Sequence, residues 1–414
     1  MRHVGAIFGV LATTVALAAC GSSGKGPVTV NWYVFPEPSG SFAKAAADCS
    51  NASGGKYKIA INFLSNASDQ QRQTLVQRLA AGDPSIDILA MDVDWTAEFA
   101  SAGWIRPWTG ANAAAASKGV LAGPLKTATY NGKLWAAPIN SNTELLWYRK
   151  DLVPNPPKTW DQMIDDAIQL AKEGKPHYIE EQGAKYEGLV VWFNSLVNSA
   201  GGGIVGPSGK VIVGPSTKVA AQIMKRLATT AAADPGLNTS EEGPGNNVFD
   251  AGQAAFEINY PFVWSGTQST APSIFKHMGY APFPAVVSGM APKVSIGGYN
   301  LGVSSHSQHP QLAFDAVKCL IGPQNQIRDA VKGGLAPVLA SIYDEPSFEK
   351  AYPFHALIKA QLEDYGIRPQ TPAYQDVTLA IQDAMQPASA IDPNTIVSKL
   401  RDEIETALKG DSLL

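Results

Sequence analysis

Apolar and polar positions alternate from Val28 to Phe35 and then meet Pro36, Pro38 and Gly40, the pattern of a strand running into a loop. Residues 41–50 read as a helix, and Tyr57–Leu64 as another strand. Ser68 stands as a helix cap before a helical stretch to Ala81, which stops at Gly82-Asp83-Pro84. Ile86–Met91 is a short apolar strand, and Trp95–Ala102 a helix closed by Gly103. Further along, Leu134–Ile139 and Thr143–Arg149 read as extended, while Trp160–Glu173, Leu189–Ser199 and Ser216–Thr230 read as helices. Ala254–Asn259, Met278–Phe283 and Val294–Val303 are expected strands, followed by helices at Pro310–Leu320, Pro323–Lys332 and in three segments after Phe354. Strands that alternate with helices predict an α/β fold with a parallel sheet covered on both faces. A chain of this length outgrows one core, so two α/β lobes with more than one crossing between them are expected.

One apolar stretch belongs to neither lobe. Residues 4–18 are apolar except for Thr13 and Thr14, follow Arg2 and His3, and end in Leu17-Ala18-Ala19-Cys20. The run is short for a membrane span and ends in small residues, so residues 1–19 read as a signal peptide. Leu-Ala-Ala-Cys has the form of a bacterial lipobox, with cleavage before Cys20 and a diacylglycerol on its thiol. The alternative is an ordinary secreted protein with a Cys near its cleavage site. Residues 20–26 then form a lipidated, flexible tether. The expected location is the extracytoplasmic face of the cell membrane, held by lipid.

A net charge of −4 excludes a broad nucleic-acid or anionic-membrane surface. Besides Cys20 the chain has Cys49 and Cys319. An oxidising compartment favours one disulfide between them, the alternative being two buried free thiols. No Gly-x-Ser-x-Gly or His-Glu-x-x-His occurs, Gly201-Gly202-Gly203 leads into no P-loop, and the six His have no metal-ligand spacing. No cofactor, no metal and no enzymatic activity are expected.

Several motifs follow in a telling order: Phe35-Pro36-Glu37, Asp83-Pro84-Ser85-Ile86-Asp87-Ile88, Asp92-Val93-Asp94-Trp95, Tyr130-Asn131-Gly132-Lys133-Leu134-Trp135, Leu146-Trp147-Tyr148-Arg149-Lys150-Asp151 and Phe256-Glu257-Ile258-Asn259-Tyr260. In this order the chain resembles the sugar-binding lipoproteins of ABC importers, the family of maltose- and trehalose-binding proteins, over nearly its whole mature length. Glu187-Gly188-Leu189, Glu241-Glu242-Gly243, Gly333-Gly334-Leu335 and Arg368-Pro369 are most similar to the mycobacterial trehalose-binding lipoproteins. The stretch from Phe262 to Tyr280 is shorter than in those relatives.

The resemblance implies a two-lobed periplasmic-binding-protein fold with a ligand cleft between the lobes and several crossings. Lobe one would hold residues 27–140 plus 299–345, and lobe two residues 141–298 plus 346–414. Cys49 and Cys319 then fall in the same lobe. It also implies a monomer that binds a disaccharide, trehalose or another α-glucoside, and hands it to ABC permease subunits driven by a separate ATPase.

Sugars present hydroxyls at their edges and C–H patches on their faces, so their sites combine planar polar side chains with aromatic rings. Glu37 follows the first strand and Gln71 lies in the first turns of a helix. Asp92 and Asp94 end a strand; one would meet hydroxyls and the other cap the next helix. Asn140 and Asn142 lie at the first crossing. Glu241 and Glu242 lie in a Gly/Pro-rich loop, where a surface turn is the bland alternative. Asn259, Tyr260, Phe262 and Trp264 follow a strand, and Tyr260 and Trp264 are the expected stacking rings. Gly297, Gly298 and Tyr299 mark a second crossing. Gly333, Gly334 and Leu335 follow a helix and serve either ligand or C-cap. Arg368, before Pro369, offers a fork of donors.

Overall fold

The structure, a computed structural model, describes Met1 and residues 26–410; Cys20 and the leader lie outside the described residues. The strands are β1 (Val28–Val34), β2 (Tyr57–Phe63), β3 (Ile88–Asp92), β4 (Thr129–Tyr130), β5 (Lys133–Leu134), β6 (Ala137–Asn142), β7 (Leu145–Arg149), β8 (Tyr178–Glu180), β9 (Ala254–Asn259), β10 (Met278–Ala281) and β11 (Gly297–Val303). They form a five-stranded sheet in the order β2-β1-β3-β11-β6, a four-stranded sheet in the order β10-β7-β9-β8, and the small hairpin β4-β5.

β1 pairs in parallel with β2 and β3, but β11 runs antiparallel to both β3 and β6. In the second sheet only β8 and β9 are parallel. The expected parallel sheets are therefore mixed. The cause is topological: β6 leads straight into β7 of the other sheet, and β11 returns from it, so these strands are not joined to their neighbours by helical crossovers.

Each sheet is buried on both faces, and the two-residue period decides which side chain goes where. In β1, Val30, Trp32 and Val34 face a core that contains Phe42 and Val317, while Tyr33 faces one with Leu75, Leu79 and Phe99. In β7, Leu146 and Tyr148 join Trp160, Trp192 and Phe256, while Leu145 and Trp147 join Phe249, Val263 and Phe354. Fully burying a large side chain of this kind contributes about 1.5–3 kcal/mol.

Cys49 and Cys319 are bonded, tying the helix Ser41–Ala52 to the helix Pro310–Leu320 across 270 residues. Both helices pack on the five-stranded sheet. Among the described residues no helix is long and apolar enough to cross a membrane.

Some local readings need correction. Ser68 is the first residue of the helix Ser68–Ala80 rather than its cap, which is the extended Ala67. Neither Asp92 nor Asp94 caps the short helix Thr96–Ser101. The stretch read as a Gly/Pro-rich loop at Glu242 is a helix, Glu242–Asp250, with Glu241 at its N-cap position. Phe262–Thr270 and Pro272–Phe275 are helices as well, and they fill the short connection after Tyr260.

Candidate functional site

A cavity of about 730 Å³ opens where the strand ends of the two sheets meet. That volume lies in the range of small-ligand clefts. The five-stranded sheet contributes Phe35 after β1, Asp92 at the end of β3, Asn142 at the end of β6, and Gly298 and Tyr299 at the start of β11. Facing them are Tyr260, which follows β9, and Tyr186, Glu187, Glu241 and Glu242. Leu335, Arg368 and residues 65–70, Asp69 among them, add to the wall. Three helices begin on this cavity: Ser68–Ala80, Glu187–Ser199 and Glu242–Asp250.

Arg368 forms the polar centre of the site. Its Nη2 donates to Asp92 Oδ1 at 2.9 Å, and its Nη1 to Asp94 Oδ2 at 2.8 Å and Glu187 Oε1 at 2.6 Å. Glu187 is itself held by the Tyr374 hydroxyl, and by Thr378 Oγ1 at 2.6 Å. Asp92 also accepts from Ser68 Oγ at 3.3 Å. One guanidinium thus ties the end of β3 to the start of the helix Glu187–Ser199, which the helix Tyr374–Met385 braces through Glu187.

Burial opposes the charge on Arg368, yet Asp94 and Asp92 hold its pKa well above the ordinary value. Burial pushes Asp94 upward against the pull of Arg368, because three carboxyls share one cation. Asp69, in the first turn of its helix, is raised to about 6 by burial and by Glu187 and Asp92.

The aromatic walls are ordered by neighbours. Tyr299 stacks on Phe35 with centroids 4.5 Å apart, and its hydroxyl donates to Gln71 Oε1 at 3.2 Å. Gly298 lies at φ +108°, and a Cβ there would sit 2.5 Å from the Asn140 carbonyl oxygen, so the close approach of β11 to β6 requires glycine.

Several expected ligand residues do not reach the cavity wall. Glu37 caps instead: its Oε2 accepts from the Ser41 backbone N–H and hydroxyl, both at 3.0 Å, and its Oε1 from the Ser39 N–H at 2.7 Å. The helix Ser41–Ala52 needs this because its N-cap, Gly40, has no side chain to offer. Asn259 is buried and braces the turn beneath Tyr260, donating to the Glu242 carbonyl oxygen and to Glu257 and accepting the Tyr260 N–H. Trp264 points inward, into a cluster with Trp147, Phe275, Tyr280 and Phe354. Gly334 is the left-handed C-cap of the helix Pro323–Gly333, packed against the backbone of Phe262.

Three others sit directly behind the wall. Gln71 holds Tyr299, Asp94 holds Arg368, and Asn140 Nδ2 donates to Asn142 Oδ1 at 3.2 Å. Asp69, Tyr186 and Glu187 line the cavity but were not among the expected ligand residues.

Behind the four-stranded sheet's end of the cleft lies a group of buried acids. Glu180 and Glu257 are register neighbours on the parallel strands β8 and β9. Burial raises Glu180 to about 9 and Glu257 to about 8, and Glu144, between β6 and β7, to about 8. Neither carboxyl oxygen of Glu180 has a partner. In all three, burial favours the neutral acid over the carboxylate.

The comparisons with known proteins fit this geometry. The chain is 29% identical over 374 residues to a "Probable ABC transporter-binding protein" of Deinococcus radiodurans, covering 87% of this chain and 88% of the relative. It superposes on maltose-bound T. maritima MalE3 with a TM-score of 0.83 and 26% identity, covering 91% of this chain and 99% of that one. The acarbose-binding GacH receptor of Streptomyces glaucescens shares the fold, with a TM-score of 0.80, 20% identity and coverage of 92% and 99%. These structures establish a two-lobed periplasmic-binding-protein fold, and the homologues are solute-binding proteins rather than enzymes. The family profile spans residues 38–327, the greater part of the chain, and so the protein belongs to the bacterial extracellular solute-binding proteins.

Proposed function

We propose that the protein is the sugar-binding component of an ABC importer and takes an α-linked disaccharide into the cleft. The observation that carries this reading is the cavity itself. It is lined by carboxylates, the amides of Asn66, Gln70 and Asn142 and a guanidinium, interleaved with Phe35, Tyr186, Tyr260 and Tyr299. Hydroxyls bond the planar polar groups, and ring faces cover the C–H patches. MalE3 and GacH are described with maltose and with acarbose, which supports an α-glucoside. Trehalose is the first sugar to assay on the sequence resemblance, beside maltose.

The lobes close by hinge motion because a sugar bonded to both sides favours the closed form. The closed form is what the permease subunits receive, with a separate ATPase supplying the energy. Lipid on Cys20 keeps the protein at the membrane, with residues 27–140 plus 299–345 forming lobe one and residues 141–298 plus 346–414 lobe two.

The test is calorimetry with a panel of disaccharides, paired with thermal shift. A bound sugar at 100 times its Kd stabilises the protein by about 2.7 kcal/mol. Tyr260→Ala and Asn142→Ala should each weaken binding at least about tenfold, the loss of one buried polar or stacking contact. Unchanged affinity in both variants would remove the cleft from consideration, and no stabilisation by any sugar would remove the sugar.

A further inference from the structure

The wall of the cleft is one-sided in charge, and the inference drawn from it rests on the sugar reading above. Five carboxylates line the cavity, Asp69, Asp92, Glu187, Glu241 and Glu242, and among the described residues Arg368 is the only Lys or Arg on its wall. An anionic sugar needs a free fork of donors, as a guanidinium gives a phosphate or carboxylate. Here three of the five N–H groups of Arg368 donate to Asp92, Asp94 and Glu187, so three carboxylates already draw on its one charge. A ligand oxyanion would have to compete with those three carboxylates for the same cation.

The other ready anion site in a protein is a helix N-terminus. Three helices start on this cavity, and each places its own carboxylate in the first turn: Asp69, Glu187 and Glu242. The positive ends of their dipoles are therefore already neutralised from within the chain.

We propose that Asp69, Glu241 and Glu242 act as specificity determinants that admit uncharged or amine-bearing glycosides and reject acidic ones, whether uronic, phosphorylated or sulfated. Asp92 and Glu187 hold the guanidinium in place, whereas these three carboxylates are opposed by no cation on the wall.

The experiment compares one sugar in three forms at one carbon. Whichever of trehalose and maltose binds is titrated beside its 6-amino-6-deoxy derivative and its 6-carboxylate by calorimetry at pH 7.5. The amine should bind within about threefold of the parent or tighter, and the carboxylate at least about 100-fold more weakly, the scale of a like-charge contact in a closed site. Glu241→Gln combined with Asp69→Asn should narrow the gap between amine and carboxylate, as should added salt. A carboxylate that binds within tenfold of the parent overturns the inference. An amine that fails together with the carboxylate also overturns it, because size and not charge then decides. Binding of no form of either sugar overturns the sugar reading itself, and the charge filter with it.

Discussion

Removing Arg368 should affect folding as well as binding, in a way that depends on pH. Arg368→Ala strips from Asp92, Asp94 and Glu187 the one cation bonded to them among the described residues; their side chains are 13%, 1% and 8% exposed. Deleting one partner of a buried ion pair costs about 3–5 kcal/mol, because the remaining charge stays desolvated. At an unfolding entropy of about 2.1 cal/mol/K per residue, a chain of this size loses about 5 °C of Tm for 4 kcal/mol. Asp94 escapes part of that cost by taking up a proton, because losing the guanidinium drives its folded pKa further in the direction in which burial already pushes it. Stability is then retained in acid and lost as pH rises through the raised value. The expected result, by differential scanning fluorimetry without ligand, is a deficit of about 5 °C at pH 7.5 that shrinks clearly at pH 5. Arg368→Lys keeps the charge but not the fork, and should lose less stability than Arg368→Ala. Equal Tm for Arg368→Ala and the parent at pH 7.5, or the same deficit at both pH values, would refute the role of Arg368 as the cluster's counter-charge.

Other outcomes follow from the same structure. Glu180→Gln should be neutral near pH 4.5 and increasingly stabilising above it, by at most about 1.4 kcal/mol per pH unit up to the folded pKa of about 9; a flat difference in Tm across pH 5–8 would contradict this. Replacing Cys49 and Cys319 by Ala should cost about 2–5 kcal/mol, and a reductant should bring the parent towards the variant in a melting assay. Gly298→Ala should lower both Tm and sugar affinity, since the new Cβ meets the Asn140 carbonyl at 2.5 Å in a backbone conformation that L residues rarely adopt; a fully active, equally stable variant would show that β11 and β6 can part at no cost.

Alternation and short apolar runs located most strands to within a few residues, because a strand buried on both faces reads as an unbroken apolar run and a half-buried one alternates. What the sequence could not carry was the antiparallel insertion of β11, which depends on how distant segments meet. The helix Glu242–Asp250 was hidden by Gly243-Pro244-Gly245, whose composition favours a loop while the tertiary setting favours a first helical turn. Around the cleft, helical geometry separated near neighbours. Asp69 and Gln71 stand about 200° apart on their helix, so when Asp69 faces the cavity Gln71 turns beneath Tyr299. Glu37 was unreadable for a different reason: its task depends on Gly40 leaving three helix N–H groups without a side-chain acceptor. Arg368 was picked out by type and motif, but its three partners come from positions more than 180 residues away.

The seat of β11 between β3 and β6 has a consequence for the newborn chain. A polypeptide made from its N-terminus produces β1, β2, β3 and β6 more than 150 residues before β11 exists. Throughout that interval β3 keeps one hydrogen-bonding edge bare and β6 has no sheet to join, and bare edges recruit other chains. The sheet can close only once residues 297–303 arrive, by which time the four strands of the other sheet have all been made. Premature termination anywhere in the second sheet would thus leave the first one open and adhesive, and a helper that shields strand edges would be most needed during synthesis of residues 143–296.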